Sequence, residues 1–479
     1  MQLSRILRVL SGPLAFLLLT LSEGAVLSSE ATNILAIASW MLLWWVTEAV
    51  PIAATALLPL VLYPLTGAMS VDDTATAYGS KYVFLFMGGF LVALSMEKWN
   101  LHRRIALRIV AAMGSSAKRI VLGFMLATAL LSMWISNTAT TLMMLPIATS
   151  VIALLRDHIE DPKMVRRFAI VLLLGIAYSA NCGGIATLVG TPPNAAMAGI
   201  ISETYNVDIG FGQWMLIGLP FSVLMLASVY LLLTYVLHPL RIPRFRAAKE
   251  LVDEELQKLG KLRTSEYRVL WIFALTAGLW IFKGLLNDLQ TVVQLNDSSI
   301  AMMSGIALFL VPSGDRKDER LLEWTNTEKL PWGILLLFGG GLALANGFKS
   351  SGLIEWVAAG FAAQETMGIF ALTLILVLTA LFLTEVMSNL ALVVVFVPIV
   401  GAIAEGMEID PLQFAVPVTL AASCAFMLPM ATPPNAIVFA SGEIRIPQMA
   451  RTGLVLNLVA VLFATLFCWF VLEPWLSSF

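Results

Sequence analysis

Ser132, Ser136 and Asn137 sit close together in an apolar stretch, Ser132-Met133-Trp134-Ile135-Ser136-Asn137-Thr138. The two serines are four residues apart, so a helical turn puts both hydroxyls on one face. The chain repeats this in Thr384-Glu385-Val386-Met387-Ser388-Asn389-Leu390, where Thr384 again precedes Ser388 by four. Hydroxyl and amide oxygens are the ligands that hard cations such as sodium prefer. Groups of this kind are costly in lipid and survive mainly where they face a polar cavity. The chemistry these residues suit is ion binding rather than bond making.

A second motif accompanies each of these. Thr191-Pro192-Pro193-Asn194 follows the first, and Thr432-Pro433-Pro434-Asn435 follows the second. Two prolines remove two backbone donors and disfavour helix in the residue before them. The carbonyls near Gly190 and Ala431 are thereby released toward an ion. Beyond each proline pair a new half-helix starts, and its N-terminus favours an anion. Thr191, Pro192, Thr432 and Pro433, at these half-helix starts, are therefore candidate anion contacts. No Arg or Lys lies near either motif. A bound anion would rest on hydroxyls, amides, helix ends and bound cations, so cation binding becomes a condition for anion binding.

The elements that must position these motifs are membrane helices. Of 479 residues, 59% are hydrophobic and only 13% are charged, with a mean hydropathy of +0.87. A soluble domain carries nearer ~25% charge. The net charge of −2 argues against a nucleic-acid partner. Cys182, Cys424 and Cys468 show no CxxC or Cys/His spacing and read as core filling. His102, His158 and His238 form no zinc motif. Arg5 and Arg8 before the apolar run Leu14–Leu21 resemble a signal peptide, but we read 1–30 as an uncleaved first transmembrane helix.

Apolar spans fall near 13–29, 32–65, 81–96, 119–155, 168–200, 212–238, 266–286, 297–312, 331–348, 368–404, 412–440 and 449–474. The spans 119–155 and 368–404 are long enough for two half-membrane helices and carry Ser-Asn in their middles. Each reads as a re-entrant hairpin, near 119–140 and 368–392. The basic cluster in Arg241–Arg268 places that loop and the N-terminus in the cytoplasm. With 32–65 broken near Pro51 into two crossings, about eleven crossings result and the C-terminus lies outside. The fold expected is an all-α polytopic membrane protein with two re-entrant hairpins in a bacterial inner membrane.

The loop also divides a repeat. Gly88 matches Gly340 and Ser136 matches Ser388, both at an offset of 252 (340 − 88 and 388 − 136). Thr191 matches Thr432 at 241 (432 − 191), so one indel reconciles all three. Residues 31–240 form the first repeat, 241–265 a cytoplasmic linker and 266–479 the second. An odd number of crossings per repeat makes the two inverted, with the substrate site near the midplane. After each Gly-Gly segment, Lys98–Ile109 and Lys349–Phe361 read as amphipathic stretches in the membrane interface. Glu48 and Glu385 are acids in apolar surroundings, and a membrane carboxylate is a functional candidate.

Ser-Asn-Thr with Gly-Thr-Pro-Pro-Asn, then Thr-Glu-x-x-Ser-Asn with Ala-Thr-Pro-Pro-Asn-Ala, together with Thr-Glu-Ala-Val-Pro, resembles the divalent anion:sodium symporter family over essentially the whole chain. The resemblance implies import of dicarboxylates, citrate or sulfate with sodium. It also implies a homodimer whose protomers each hold a scaffold domain and a moving, elevator-type transport domain. By the same resemblance, Ser136, Asn137, Thr138, Ser388 and Asn389 would hold the substrate. Ser132, Ser136, Asn137 and Gly190 would take a first sodium. Thr384, Met387, Asn389 and Ala431 would take a second, Met387 and Ala431 through carbonyls. Leu390 stands where bacterial dicarboxylate carriers of the family often have a second Thr, which bears on the identity of the anion. The expectation is a carrier of a small dianion, most simply a C4-dicarboxylate, driven by two or more sodium ions. Sulfate symport and sodium-independent exchange are the alternatives within transport. An intramembrane enzyme finds no support, since GxSxG, HExxH and a Cys/His pair are all missing from the sequence.

Overall fold

The apolar stretches fold as helices that end where prolines, glycines and hydroxyl caps end them. The structure is a computed structural model, and it describes residues 2–21, 27–242, 246–290, 292–315, 317–362 and 368–472. Among these residues there is no β-strand. The expected external C-terminus, at 475–479, lies outside them.

The first half begins with α1 (Gln2–Leu21) and α2 (Ser29–Thr47), packed against each other. α2 ends at Glu48, whose φ of 46° is left-handed. Glu48 is exposed at this helix end, not buried as its neighbours in sequence suggest. Pro51 then starts two short helices, α3 (Ile52–Thr55) and α4 (Leu58–Thr66). At 1.5 Å per residue the segment Ile52–Thr66 reaches about 22 Å, short of the ~30 Å hydrocarbon core. α5 (Val71–Tyr78), α6 (Lys81–Lys98) and α7 (Leu101–Ala112) lead to the first motif. There α8 (Ala117–Ser132) and α9 (Asn137–His158) are separated by a break at 133–136. A broken helix follows, α10 (Pro162–Ile185) and α11 (Pro192–Tyr205), then α12 (Phe211–Leu231). The linker helix is α13 (Arg246–Lys258).

The second half repeats the plan. α14 (Thr264–Leu289), α15 (Asp297–Leu310), α16 (Trp332–Ser350) and α17 (Leu353–Ala362) precede the second hairpin. That hairpin is α18 (Ile369–Leu383) and α19 (Asn389–Gly406). The broken helix is α20 (Leu412–Ala422) and α21 (Pro433–Phe439), and α22 (Ile446–Phe467) follows it. Among the described residues eight helical segments are long and apolar enough to cross a membrane, while Ile52–Thr66, Asp297–Leu310, Ile369–Leu383 and Leu412–Ala422 are apolar but shorter.

The second hairpin arms run on to His158 and Gly406, beyond the ends at 140 and 392 read from sequence. Pro146 and Pro398, also 252 apart (398 − 146), lie inside these arms without ending them. The 11-residue change of offset falls between Pro146 and Gly184, across the end of α9 and the body of α10. α9 and α10 have 22 and 24 residues, against 18 and 11 in α19 and α20.

The linker is anchored rather than loose. Arg104 on α7 is buried and grips Glu266 with two bonds, 2.9 and 3.0 Å, while also donating to the Gly260 and Leu259 carbonyls. A buried charge needs such full pairing. Lys258 bonds one oxygen of Glu255 and Arg103 the other. The Lys258 ammonium, aided by Arg103, holds the Glu255 carboxyl below the usual carboxylate range.

α10 is the centre of the molecule, with every residue from Phe168 to Ile185 buried. It meets α8 so closely at Gly183 that a Cβ there would lie 2.2 Å from the Ala129 carbonyl oxygen. The repeats interlock about it. α11 of the first repeat packs on α19 and α20 of the second, and α21 of the second packs on α9 and α10 of the first.

Candidate functional site

The first hairpin turn is shaped by its own polar residues. Ser136 caps α9 by accepting from the Ala139 N–H at 3.2 Å. Ser132, on the last turn of α8, donates to Asn137 Oδ1 at 2.5 Å. The end of α10 meets them: a Cβ on Gly184 would stand 2.7 Å from Asn137 Oδ1, and one on Gly190 would stand 2.5 Å from the Gly184 carbonyl oxygen. Ser132, Asn137, Gly184 and Gly190 therefore converge, giving a hydroxyl, a carboxamide and unwound backbone in one place. Ser136, Asn137 and Thr138 are half-buried there.

The second turn repeats the geometry at an offset of 252 (384 − 132 and 389 − 137). Thr384 donates toward Asn389 Oδ1 at 2.7 Å and the Ala422 carbonyl at 2.8 Å. Ser388 caps α19 by accepting from the Ala391 N–H at 3.2 Å. Met387 is buried, while Ser388 and Asn389 are half-buried. Leu390, in the first turn of α19, is 6% exposed and belongs to the apolar core.

Glu385 holds this turn to the broken helix. It is buried, and its carboxylate accepts from the Phe426, Met427 and Leu428 N–H groups at 2.9, 2.9 and 3.0 Å and from Asn457 Nδ2 at 2.7 Å. The Leu428 carbonyl in turn accepts from the Ala431 N–H at 3.2 Å, which connects the hairpin turn to Ala431. Four donors on one carboxylate compensate its burial without a cationic side chain.

The asparagine of each Pro-Pro-Asn motif straps its own unwound segment. Asn194 Nδ2 lies 3.1, 3.2 and 2.7 Å from the Gly184, Ile185 and Thr187 carbonyls. Asn435 Nδ2 lies 3.1 Å from both the Ala425 and Leu428 carbonyls. Backbone that leaves a helix inside an apolar protein must find partners, and these carboxamides supply them. The two repeats are also stitched together. Tyr178 donates to the Phe426 carbonyl at 2.8 Å, and Asn181 Nδ2 lies 3.2 Å from Thr432 Oγ1 and 3.4 Å from the Ala425 carbonyl. Thr191 and Thr432 are buried, Pro192 is half-buried and Pro433 is exposed. α21, whose N-terminus Thr432 caps, is only seven residues long.

The sequence reading left out Thr187, Asn181, Tyr178 and Gly184 and gave no role to Asn194 or Asn435. The repeat offset was the available signal for the last two, because any residue preserved at 241 in an otherwise divergent pair is a candidate for a shared task. Among the described residues no group of three or more His, Cys, Asp or Glu could hold a metal. A cation here would rely on hydroxyl, carboxamide and carbonyl oxygens, the donor set that sodium accepts.

Two hairpins and two broken helices, interlocked about a buried central helix, define the class: a membrane transporter with bare polar turns inside its apolar body. The chain belongs to the family described as the sodium:sulfate symporter transmembrane region, whose model matches residues 3–475. It is 38% identical over 479 residues to a sodium-dependent dicarboxylate transporter of Staphylococcus saprophyticus, covering 99% of this chain and 92% of that one. It is also 38% identical to its counterpart in Staphylococcus aureus, over 98% of this chain and 91% of that one. In fold it resembles MtrF of Neisseria gonorrhoeae, with a TM-score of 0.59 at 13% identity over 95% of this chain and 98% of the other. It also resembles the YdaH transporter of Alcanivorax borkumensis, with a TM-score of 0.53 at 14% identity over 84% and 90%.

Proposed function

We propose that this protein imports a small dianion, a C4-dicarboxylate such as succinate, malate or fumarate, coupled to two or more sodium ions. The observation that carries the reading is the pair of matched turns, Ser132 with Asn137 and Thr384 with Asn389, each abutting unwound backbone. In this reading Ser132, Ser136, Asn137 and Gly190 bind one sodium, and Thr384, Met387, Asn389 and Ala431 bind the other. Ser136, Asn137, Thr138, Ser388 and Asn389 receive the dianion, with Leu390 tuning its identity and Thr191, Pro192, Thr432 and Pro433 shaping the half-helix ends. The names of the staphylococcal relatives support both the sodium and the dicarboxylate.

Moving a dianion against an inside-negative potential costs about 2.3 kcal/mol per charge per 100 mV, about 4.6 in all. Two sodium ions cancel that charge, and a third makes the potential itself a driving force. We place the N-terminus and α13 in the cytoplasm of a bacterial cell and the C-terminus outside, with inverted repeats and about eleven crossings. The repeats at 31–240 and 266–479 combine into scaffold and transport domains of an elevator, and two protomers form the working unit. A thermal-shift screen of succinate, malate, fumarate and sulfate, with sodium against choline, tests the reading, since a ligand of the folded state raises its apparent stability. Sodium-dependent stabilisation by a dicarboxylate is expected. Equal stabilisation in choline would replace symport by exchange.

A further inference from the structure

One buried hydroxyl bridges the two walls of the first cradle. Thr187 lies in the unwound stretch 186–191 and is fully buried. It donates to the Met133 carbonyl in the hairpin turn at 2.5 Å and accepts from the Gly190 N–H at 3.0 Å. Its own carbonyl accepts from Asn194 at 2.7 Å. Ser132 and Asn137 are on the hairpin side of this bridge, and Gly184 and Gly190 are on the other.

The second repeat makes the same crossing with different chemistry. The residue 241 beyond Thr187 is Leu428, which has no hydroxyl, and the residue 252 beyond Met133 is Glu385. Glu385 reaches from the hairpin turn to the Phe426, Met427 and Leu428 N–H groups. The polar side chain has changed walls, yet hairpin turn and unwound segment are still tied at the matched position. A tie kept while its chemistry is exchanged points to the separation of the two walls as the property that matters.

We propose that Thr187 is a positioning residue for the first sodium site, holding the hairpin turn and the unwound backbone at ion-binding separation. The inference rests on the sodium-coupled reading above. Its proton goes to the Met133 carbonyl and one of its two lone pairs to the Gly190 N–H, so the hydroxyl ties one wall to the other. Ser132, Asn137 and Gly190 supply the oxygens, and Thr187 fixes how far apart they stand.

The test compares Thr187→Val, nearly the same shape without the hydroxyl, with Thr187→Ser, which keeps it. The readouts are the sodium concentration for half-maximal dicarboxylate uptake, the steepness of that curve, the KM at saturating sodium, and the melting temperature in choline. Thr187→Val is expected to raise the sodium half-saturation about tenfold and to flatten the curve, with KM at saturating sodium near the parent's. Thr187→Ser should restore the parent's sodium response. A Val variant that melts earlier in choline but keeps the parent's sodium half-saturation overturns the proposal, because Thr187 would then serve the fold alone. If Thr187→Val does not accumulate, Thr187→Cys, with a weakly donating thiol, must still raise the half-saturation, and a parental value there is equally fatal. A parent protein with no sodium dependence would instead overturn the coupling reading.

Discussion

Asn194 and Asn435, 241 residues apart (435 − 194), make matching bonds. Asn194 Nδ2 reaches the Gly184 and Thr187 carbonyls, and Asn435 Nδ2 reaches the Ala425 and Leu428 carbonyls, partners also 241 apart (425 − 184 and 428 − 187). Both asparagines are fully buried. Removing either carboxamide deletes its hydrogen bonds to these carbonyls, at about 0.5–1.5 kcal/mol for each bond lost. Asn194→Ala and Asn435→Ala should each lower the melting temperature in detergent without substrate. The Asp variants should lower it further, because an acceptor then faces acceptors. Asp variants as stable as the parent would show that these carboxamides are not the straps.

Gly183 and Gly184 are neighbours with different duties. A Cβ on Gly183 meets the backbone of Ala129 at 2.2 Å, whereas one on Gly184 meets the Asn137 carboxamide at 2.7 and 3.0 Å. Backbone cannot yield, but a side chain can. Gly183→Ala should damage folding, seen as poor accumulation or early melting in choline. Gly184→Ala should leave the choline melting temperature closer to the parent's while raising the sodium concentration needed for uptake. Equal effects of the two on both measurements would refute the distinction.

Glu385→Gln keeps one oxygen but turns an amide toward backbone N–H donors. Hydrogen bonds to a charged group contribute about 1.5–3 kcal/mol. The variant should melt earlier and respond less steeply to sodium. Uptake and melting curves that overlay the parent's would mean that the carboxylate is dispensable to the second turn.

Leu390→Thr adds a hydroxyl one residue from Asn389 in the first turn of α19. A polar partner gained or lost at a substrate group changes affinity by about 1–3 kcal/mol, roughly 5- to 150-fold. The ratio of half-saturations for dicarboxylates and sulfate should shift in this variant. An unchanged substrate profile would place Leu390 outside the site, as a core residue alone.

Asn137→Ala and Asn389→Ala should each lower both sodium and anion affinity, since each amide serves the turn that both ligands are proposed to use. Reciprocity requires that the anion raise sodium affinity by the factor that sodium raises anion affinity. Calorimetric titration of each ligand in the presence and absence of the other measures both factors. A variant that loses one affinity and keeps the other would separate the two sites.

Much of this was legible in the residue types. A membrane cannot leave backbone or amide groups unpaired, so Ser-Asn and Pro-Pro-Asn in apolar stretches had to mark turns and breaks. The structure puts breaks at 133–136 and 186–191 in the first repeat, and at 384–388 and 423–432 in the second. Element ends were less legible. Pro146 and Pro398 look like stops but sit within α9 and α19, where packing on α10 and α20 keeps the helices continuous. Glu48 looked buried because its neighbours are apolar, yet a left-handed turn at the end of α2 exposes it.

The sequence by itself determined that the chain is a helical membrane protein with a doubled polar motif. That much follows from the solvent, because lipid penalises each unpaired polar group wherever it lies along the chain. Only the tertiary structure decided what each polar group does. Glu385 became the tie of the second turn because residues 426–428 present three N–H groups to it across a helix break. Thr187 became the tie of the first because the Met133 carbonyl comes within reach of its hydroxyl. Hydrogen bonds depend on distances of a few ångströms, which in these two ties join backbone and side chains 41 to 54 positions apart, and such distances are set by how helices pack.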